Sequence, residues 1–352
     1  MKKIIITGAG GPAGVNFINS IRKSKQKYHL IGLDINPFHL EWAKVDEKYI
    51  IPPVNSKKHK SELIKIIKKT KADFLHPQPD VEVVKIGKIR KQLPIKTMLP
   101  SNKTIRICHN KHKSAQVWQK AGLPIIDTII IKDNQSLKKA SKRFSYPYWL
   151  RATKGASSRG STPVPNIKVA KHWLGYWKAR STNWEFVAQE MLPGKIIAFQ
   201  SVWFNGQIIT SQARQRVEYI YPQLSPSGIT NTPIIAKTLN RDDVNQMATK
   251  AVLAIDKKAT GIFCVDLREN KQNIPIPTEI NCGRFFTTSF FFTKAGVNMP
   301  LIYLKLGLGE KLSSKPKQYN PIPENWFWCR HIDCPGVLLK NPKYAKKDIS
   351  YI

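Results

Sequence analysis

Acidic side chains are scarce in this chain: 23 Asp and Glu stand against 58 Lys and Arg in 352 residues, a formal charge of +35. No apolar run is long enough to span a bilayer, which excludes a helical membrane protein. MKKIIITGAG joins two lysines to a short apolar run, but glycines follow at once, so a secretory leader is not expected. The five cysteines (Cys108, Cys264, Cys282, Cys329, Cys334) are odd in number and show no C-x-x-C spacing. That speaks against a disulfide framework and for free thiols in a reducing cytoplasm. No Y-x-x-x-K occurs among the eleven tyrosines, so the acid/base pair of the short-chain reductases is missing. Internal repeats and low-complexity linkers are also absent.

What remains is the composition of a folded protein, 41% apolar and 23% charged. The length allows two or three modules with a sizeable core. The positive charge raises nucleic-acid binding as a class. However, the lysines are spread over stretches such as KSKQK (23–27), SKKHK (56–60), IKIIKK (64–69) and SLKKASKR (136–143), which read as solvated faces. No basic segment carries interleaved aromatics for base stacking, so specific nucleic-acid binding is not expected.

Alternating strand and helix patterns run through the first hundred residues. KIIIT (3–7) and HLIGLD (29–34) read as buried strands, 15–23 and 61–71 as helices, and ADFLHPQ as a strand ending near His76. This is a parallel α/β module over 1–104. A helix over 110–122 stops at Gly122 and opens a second region, 105–188, with strands at 126–131 and 146–151 around a helix. Residues 189–352 are α+β with an antiparallel character, with strands at 196–204, 207–218 and 260–267 and a helix at 241–256.

Four stretches carry chemistry. ITGAGGPAG follows a strand and precedes a helix, the setting in which Gly10 and Gly11 let backbone N–H groups approach an anion. With Asp34 ending the second strand, it also suits a dinucleotide, and a tight βα turn needs the same glycines. YPYWLRATKGASSRGST places Arg151 at a strand end before a small-residue loop (153–162) carrying Lys154, Ser157, Ser158 and Gly160, either a phosphate-covering flap or an exposed hairpin. Asp266 lies in the apolar strand GIFCVDL, and a short turn brings PTEINCGR back beside it. Glu279 and Asn281 then share a face with Asp266, three oxygen ligands suited to Mg²⁺, with the planar cation of Arg284 beyond. The alternative is a buried Asp paired with Arg284. Arg214 and Arg216 alternate onto one strand face, suited to a carboxylate or acyl phosphate or simply to solvent. His76 and Asp80, near the end of a parallel strand, are candidates for an acceptor pocket. WFWCRHIDC (326–334) fits no common zinc spacing and reads as a packed terminal segment.

Taken in order over 1–310, these features resemble the ATP-grasp superfamily, particularly its carbamoyl-phosphate-synthase-like branch. The resemblance implies an N-terminal Rossmann-like (pre-ATP-grasp) domain, followed by a two-lobed ATP-grasp domain. It further implies that Lys111 in NK (110–111) contacts ATP phosphates and that Arg151 and the flap cover the triphosphate. Glu190, Met191 and Leu192 in AQEMLPG would line the adenine slot, and Asp266, Glu279 and Asn281 would hold Mg²⁺ or Mn²⁺. The implied activity is an ADP-forming ligase in which Arg284, Arg214 and Arg216 assist a carboxylate's activation for capture by an amine. The sequence departs from the pattern at three places. Ile196 stands where many relatives have a ribose-binding Glu, Asp266 replaces the commoner Glu or Gln, and EINCGR moves Arg284 one residue on. Small-molecule substrates are expected as partners, and a homodimer is compatible with the chain. Two other classes stay open: an NAD(P)-dependent oxidoreductase using ITGAGGPAG, and a non-catalytic basic binding protein.

Overall fold

The short apolar runs of the first hundred residues form a parallel sheet. Its strands are β1 (Lys3–Thr7), β2 (His29–Asp34), β3 (Glu47–Ile50) and β4 (Phe74–Pro77), in the order β3–β2–β1–β4. In the computed structural model, residues 1–153, 160–180, 183–226, 228–229, 233–331, 334–340 and 350–351 are described. Helices α1 (Pro12–Arg22), α2 (Pro37–Leu40), α3 (His59–Thr70) and α4 (Asp80–Ile89) connect the strands and continue from the last of them. Helix α1 begins three residues before the expected start, because Pro12 at its first position has its φ preset for a helix and no N–H to leave unpaired.

The glycines of the first turn answer to packing. Gly8 has φ +58, and a Cβ there would strike Pro79; one on Gly10 would strike the His39 backbone. Asp34 binds the turn from below, accepting from Gly10 N (3.1 Å) and Asn36 N (3.1 Å).

Helices α5 (Asn102–Cys108) and α6 (Lys111–Lys120) follow, each started by a side-chain cap, Ser101 on Thr104 N and Asn110 on Lys113 N. Next comes an antiparallel sheet of β5 (Thr128–Ile131), β6 (Tyr148–Ala152), β7 (Thr162–Val164) and β8 (Phe186–Gln189), in the order β5–β8–β6–β7. Helices α7 (Asn134–Arg143) and α8 (Ile167–Ala179) cover it around Leu137, Tyr148, Leu150 and Phe186.

The largest sheet contains β9 (Ile196–Phe204), β10 (Gln207–Tyr219), β11 (Pro233–Leu239), β12 (Gly261–Glu269), β13 (Pro275–Cys282), β14 (Trp326–His331), β15 (Cys334–Lys340) and β16 (Ser350–Tyr351). Among the described residues its order is β13–β12–β9–β10–β11–β14–β15–β16. Helix α9 (Asp242–Ile255) and α6 pack on one face, where Trp118 Nε1 donates to Ala251 O at 3.0 Å. Part of the other face meets the parallel sheet through α10 (Ser289–Lys294) and α11 (Met299–Leu308), around Phe17, Phe285, Phe291 and Tyr303.

His76 lies at this junction and not in an acceptor pocket. It is 0% exposed, stacks on Phe17 with ring centroids 4.1 Å apart, and bonds to Gln78 Oε1 at 2.9 Å. Gln78 Nε2 in turn donates to Phe285 O (2.8 Å), clamping the parallel sheet to the loop after β13. Burial, partly offset by the Gln78 bond, pushes the imidazole down to about 4, so it stays neutral in the core. Among the described residues no helix is long and apolar enough to cross a membrane.

Glu82 on α4 is 5% exposed, and burial, with Asp34 nearby and Thr7 opposing, pushes its carboxyl up to about 7. An acid raised in the folded state contributes stability that is complete below its unfolded value of 4.5 and lost as pH rises through 7. Glu82→Gln is therefore expected to gain up to about 3 kcal/mol over the parent at pH 8, with the gap closing toward pH 4.5. Denaturant melts across that window check it; parallel stability curves would contradict it.

Candidate active site

The site is built on one face of the large sheet, where register decides which side chains meet. Strands β12 and β13 are joined by a tight turn in which Asn270 Oδ1 accepts from Gln272 N and Ile274 N, both at 2.9 Å. The turn places Asp266 directly opposite Glu279 and Cys264 opposite Asn281. Across the next strands the row continues from Asp266 to Ala198 on β9 and Arg214 on β10. Ala198 is the small member, and its methyl leaves room for Arg216, one pleat along on β10, to reach across to Asp266 at 2.6 Å.

Each oxygen donor on this face is met by a cation. Glu279 Oε2 accepts from Lys111 Nζ at 2.9 Å and Arg151 Nη2 at 3.4 Å. Asn281 Oδ1 accepts from Arg284 Nη2 at 2.9 Å, and Arg284 Nε donates to Asp80. Lys111 is the first residue of α6, Arg151 lies near the end of β6 and Asp80 begins α4, so three separate elements supply these groups.

Environment pushes the two facing carboxyls apart. Asp266 is 7% exposed, and burial raises it despite Arg216 and with the help of the Glu279 charge. Burial acts upward on Glu279 too, but Lys111 and Arg151 outweigh it and hold this carboxylate well below the ordinary range.

These groups border a cleft of about 380 Å³. Ile126, Trp149, Met191 and Leu192 supply an apolar end, with Glu190 beside them. This end is shaped where the chain crosses from β8 to β9. Glu190 N donates to Asp127 O (3.2 Å), Gly194 N to Glu269 O (3.0 Å), and Lys195 N to the Glu269 carboxylate (3.1 Å). Glu269 is buried and paired with Arg241.

The donor set suits a hard divalent cation. Among the described residues no group of three His, Cys, Asp or Glu could hold a metal ion alone. The set consists of two carboxylates and an amide, all oxygen donors on one face, now balanced by Arg216, Lys111 and Arg151. Mg²⁺ is bound in this way when substrate phosphates and water complete its shell.

Of the residues singled out in the sequence, Lys111, Arg151, Glu190, Met191, Leu192, Arg214, Arg216, Asp266, Glu279, Asn281, Arg284 and Asp80 all border this cleft. Lys154, Ser157 and Ser158 lie outside the described residues. Gly160 packs against Trp184 and Ala152, and its neighbour Ser161 reaches the cleft. Gly10 and Gly11 sit in the first βα turn and are not among the cleft residues, nor is the buried His76. Arg268 and Tyr219 also border the cleft, although no motif in the sequence marks them. Arg268 follows Asp266 by two residues on the same strand, so alternation alone suffices to find it.

Comparison with solved structures identifies the fold. The chain is similar to the biotin carboxylase domain of 2-oxoglutarate carboxylase from Hydrogenobacter thermophilus, determined with MgADP, ADP and bicarbonate (18% identity, TM-score 0.70, covering 94% of this chain and 74% of that one). It is also similar to a carboxyaminoimidazole ribonucleotide synthase from Aspergillus clavatus complexed with ATP (15%, TM-score 0.71, covering 100% and 92%). An L-amino acid ligase from Bacillus licheniformis is a third (14%, TM-score 0.68, covering 96% and 80%). These are ATP-grasp enzymes, and this chain has their fold. No family model and no curated protein sequence matches it.

Removing one member of a buried charge cluster leaves its partners uncompensated. Glu279→Ala removes the carboxylate shared by Lys111 and Arg151, and in metal-free buffer it is expected to lose about 2 kcal/mol, discounted for the partial exposure of the cluster. Urea unfolding of the two proteins measures this. A variant as stable as the parent would show the cluster to be energetically idle.

Proposed function

We propose that the protein is an ATP- and Mg²⁺-dependent, ADP-forming ligase that activates a substrate carboxylate as an acyl phosphate for capture by an amine or similar nucleophile. The observation that carries this reading is the opposed pair Asp266 and Glu279, met by Lys111, Arg151 and Arg216 at one cleft with an apolar end. In this reading residues 1–104 are the Rossmann-like domain, 105–188 the N-terminal lobe and 189–352 the C-terminal lobe. The order of motifs favours the carbamoyl-phosphate-synthase-like branch. A reducing cytoplasm is the proposed setting, in keeping with the free thiols of Cys108, Cys264, Cys282 and Cys329.

Asp266, Glu279 and Asn281 would hold Mg²⁺ or Mn²⁺, which when bound supplies charge neutralisation across the nucleotide phosphates. Lys111 and Arg151 offset charge on the phosphate oxygens, and the loop over 153–162 excludes water. Met191 and Leu192 receive the adenine. Arg216 and Arg284 orient the carboxylate, whose oxygen attacks the γ-phosphorus as the bond to the ADP oxygen breaks. The amine then adds at the carbonyl carbon, phosphate departs with the amine proton, and an amide remains. Positioning and charge compensation carry the catalysis.

The oxidoreductase reading depends on ITGAGGPAG and Asp34, yet both Asp34 oxygens already accept backbone N–H groups and the carboxylate is buried. Calorimetric titration of MgATP and NADPH separates the two readings. MgATP is expected to bind the parent and to lose at least about tenfold in affinity in the Asp266→Ala/Glu279→Ala double variant, while NADPH gives no heat. NADPH binding without MgATP binding would overturn the ligase reading.

A further inference from the structure

Once Asp266, Glu279 and Asp80 are assigned to their partners, three guanidiniums at or beside the cleft, Arg214, Arg268 and Arg330, are left without an ion pair among the described residues. Asp266 is taken by Arg216, Glu279 by Lys111 and Arg151, and Asp80 by Arg284. Among the described residues Arg214 and Arg330 have no carboxylate. Arg214 is 2% exposed; its Nη1 donates to Thr288 Oγ1, its guanidinium lies 4.7 Å from the Phe286 ring centroid, and its Nε is buried without a partner. Arg330, on β14, bonds to two residues that border the cleft beside Arg214. Its Nε donates to Pro233 O (3.3 Å) and its Nη1 to Thr287 O (3.1 Å), leaving Nη2 buried and unbonded. Tyr219 pairs in register with Pro233 and borders the cleft. Its hydroxyl, near Arg216, is a third buried group without a well-formed hydrogen bond.

Two buried arginines without an ion pair are costly, and the cost is visible in their basicity. Burial, with added repulsion from Arg216 and Arg330, pushes Arg214 down to about 9 despite Asp266, and burial pushes Arg330 down to about 10. An anion seated between them would relieve that cost and complete all three unfinished donor sets. The position separates this anion from a nucleotide. Arg214 stands two strands from Asp266 on the side away from Glu279, roughly 10 Å at the backbone, whereas Lys111 and Arg151 lie on the Glu279 side.

The geometry points to an anion subsite formed by Arg214, Arg330 and Tyr219 that holds a second acidic group, a carboxylate or a phosphate monoester, on the substrate whose carboxylate is activated at Asp266. This assignment of the substrate as a dianion rests on the ligase reading. The pocket of donors stands on geometry alone.

The test is calorimetric, with MgAMP-PNP saturating the nucleotide site before inorganic phosphate, succinate or acetate is added to the full-length protein. Phosphate or succinate is expected to bind the parent at least tenfold more tightly than acetate. Arg330→Gln is expected to weaken that binding at least tenfold while leaving MgAMP-PNP affinity within twofold. Preference for phosphate would identify a phosphate monoester, and preference for succinate a dicarboxylate. Tyr219→Phe, which keeps the packing, is expected to cost a few-fold and guards against a misfolded arginine variant. Failure of both anions to bind, or equal binding by Arg330→Gln, overturns the subsite while the ligase reading stands. Arg330-dependent phosphate binding in a protein that does not take MgAMP-PNP upholds the subsite and overturns the ligase reading.

Discussion

Asp266 and Glu279 face each other across a single antiparallel pairing, and two carboxylates held this way cannot both stay ionised without positive charge nearby. The surroundings of the cleft follow from that constraint. Arg216 crosses over Ala198 to one carboxylate, and Lys111 and Arg151 arrive from α6 and β6 to the other. The groups that balance the pair come from elements far apart in the chain, so the site exists only when the sheets are assembled. Arg216, Lys111 and Arg151 offset the negative charge of the two carboxylates within the cleft.

Assembly is secured by contacts that have no chemistry of their own. His76, stacked on Phe17 and bonded to Gln78, fixes the parallel sheet to the backbone of Phe285, next to Arg284. Asp80, at the start of α4, then holds Arg284 beside Asn281. Glu269 does the same for the crossing from β8 to β9 by gathering Gly194, Lys195 and Arg241 at the far end of β12. A neutral imidazole and a buried glutamate thus set the angle at which charged residues enter the cleft.

Much of this arrangement is legible in the amino-acid sequence. Strand alternation and a short turn are enough to bring Asp266 opposite Glu279, because both effects are local. Motif order finds the cations at 111 and 151. What escapes depends on distant partners. The end of a parallel strand does not reveal that His76 points into a core made by α1 and α11, some sixty residues before it and over two hundred after it. Gly10 looks the same whether a phosphate or the His39 backbone approaches it, and here it is His39. Residues 326–334 show no motif, and Arg330 acquires its place only through the pairing of β14 with β11. The strong positive charge is legible as a number but not as a location. Its informative members are the few arginines buried in the cleft, not the many exposed lysines.

The most direct measurement is a crystal structure with MgAMP-PNP. The ion is expected between Asp266 and Glu279, the triphosphate beside Lys111 and Arg151, and the adenine against Met191 and Leu192. A nucleotide lying instead along the Gly8–Gly14 turn, or a metal bound away from the facing carboxylates, would contradict this placement.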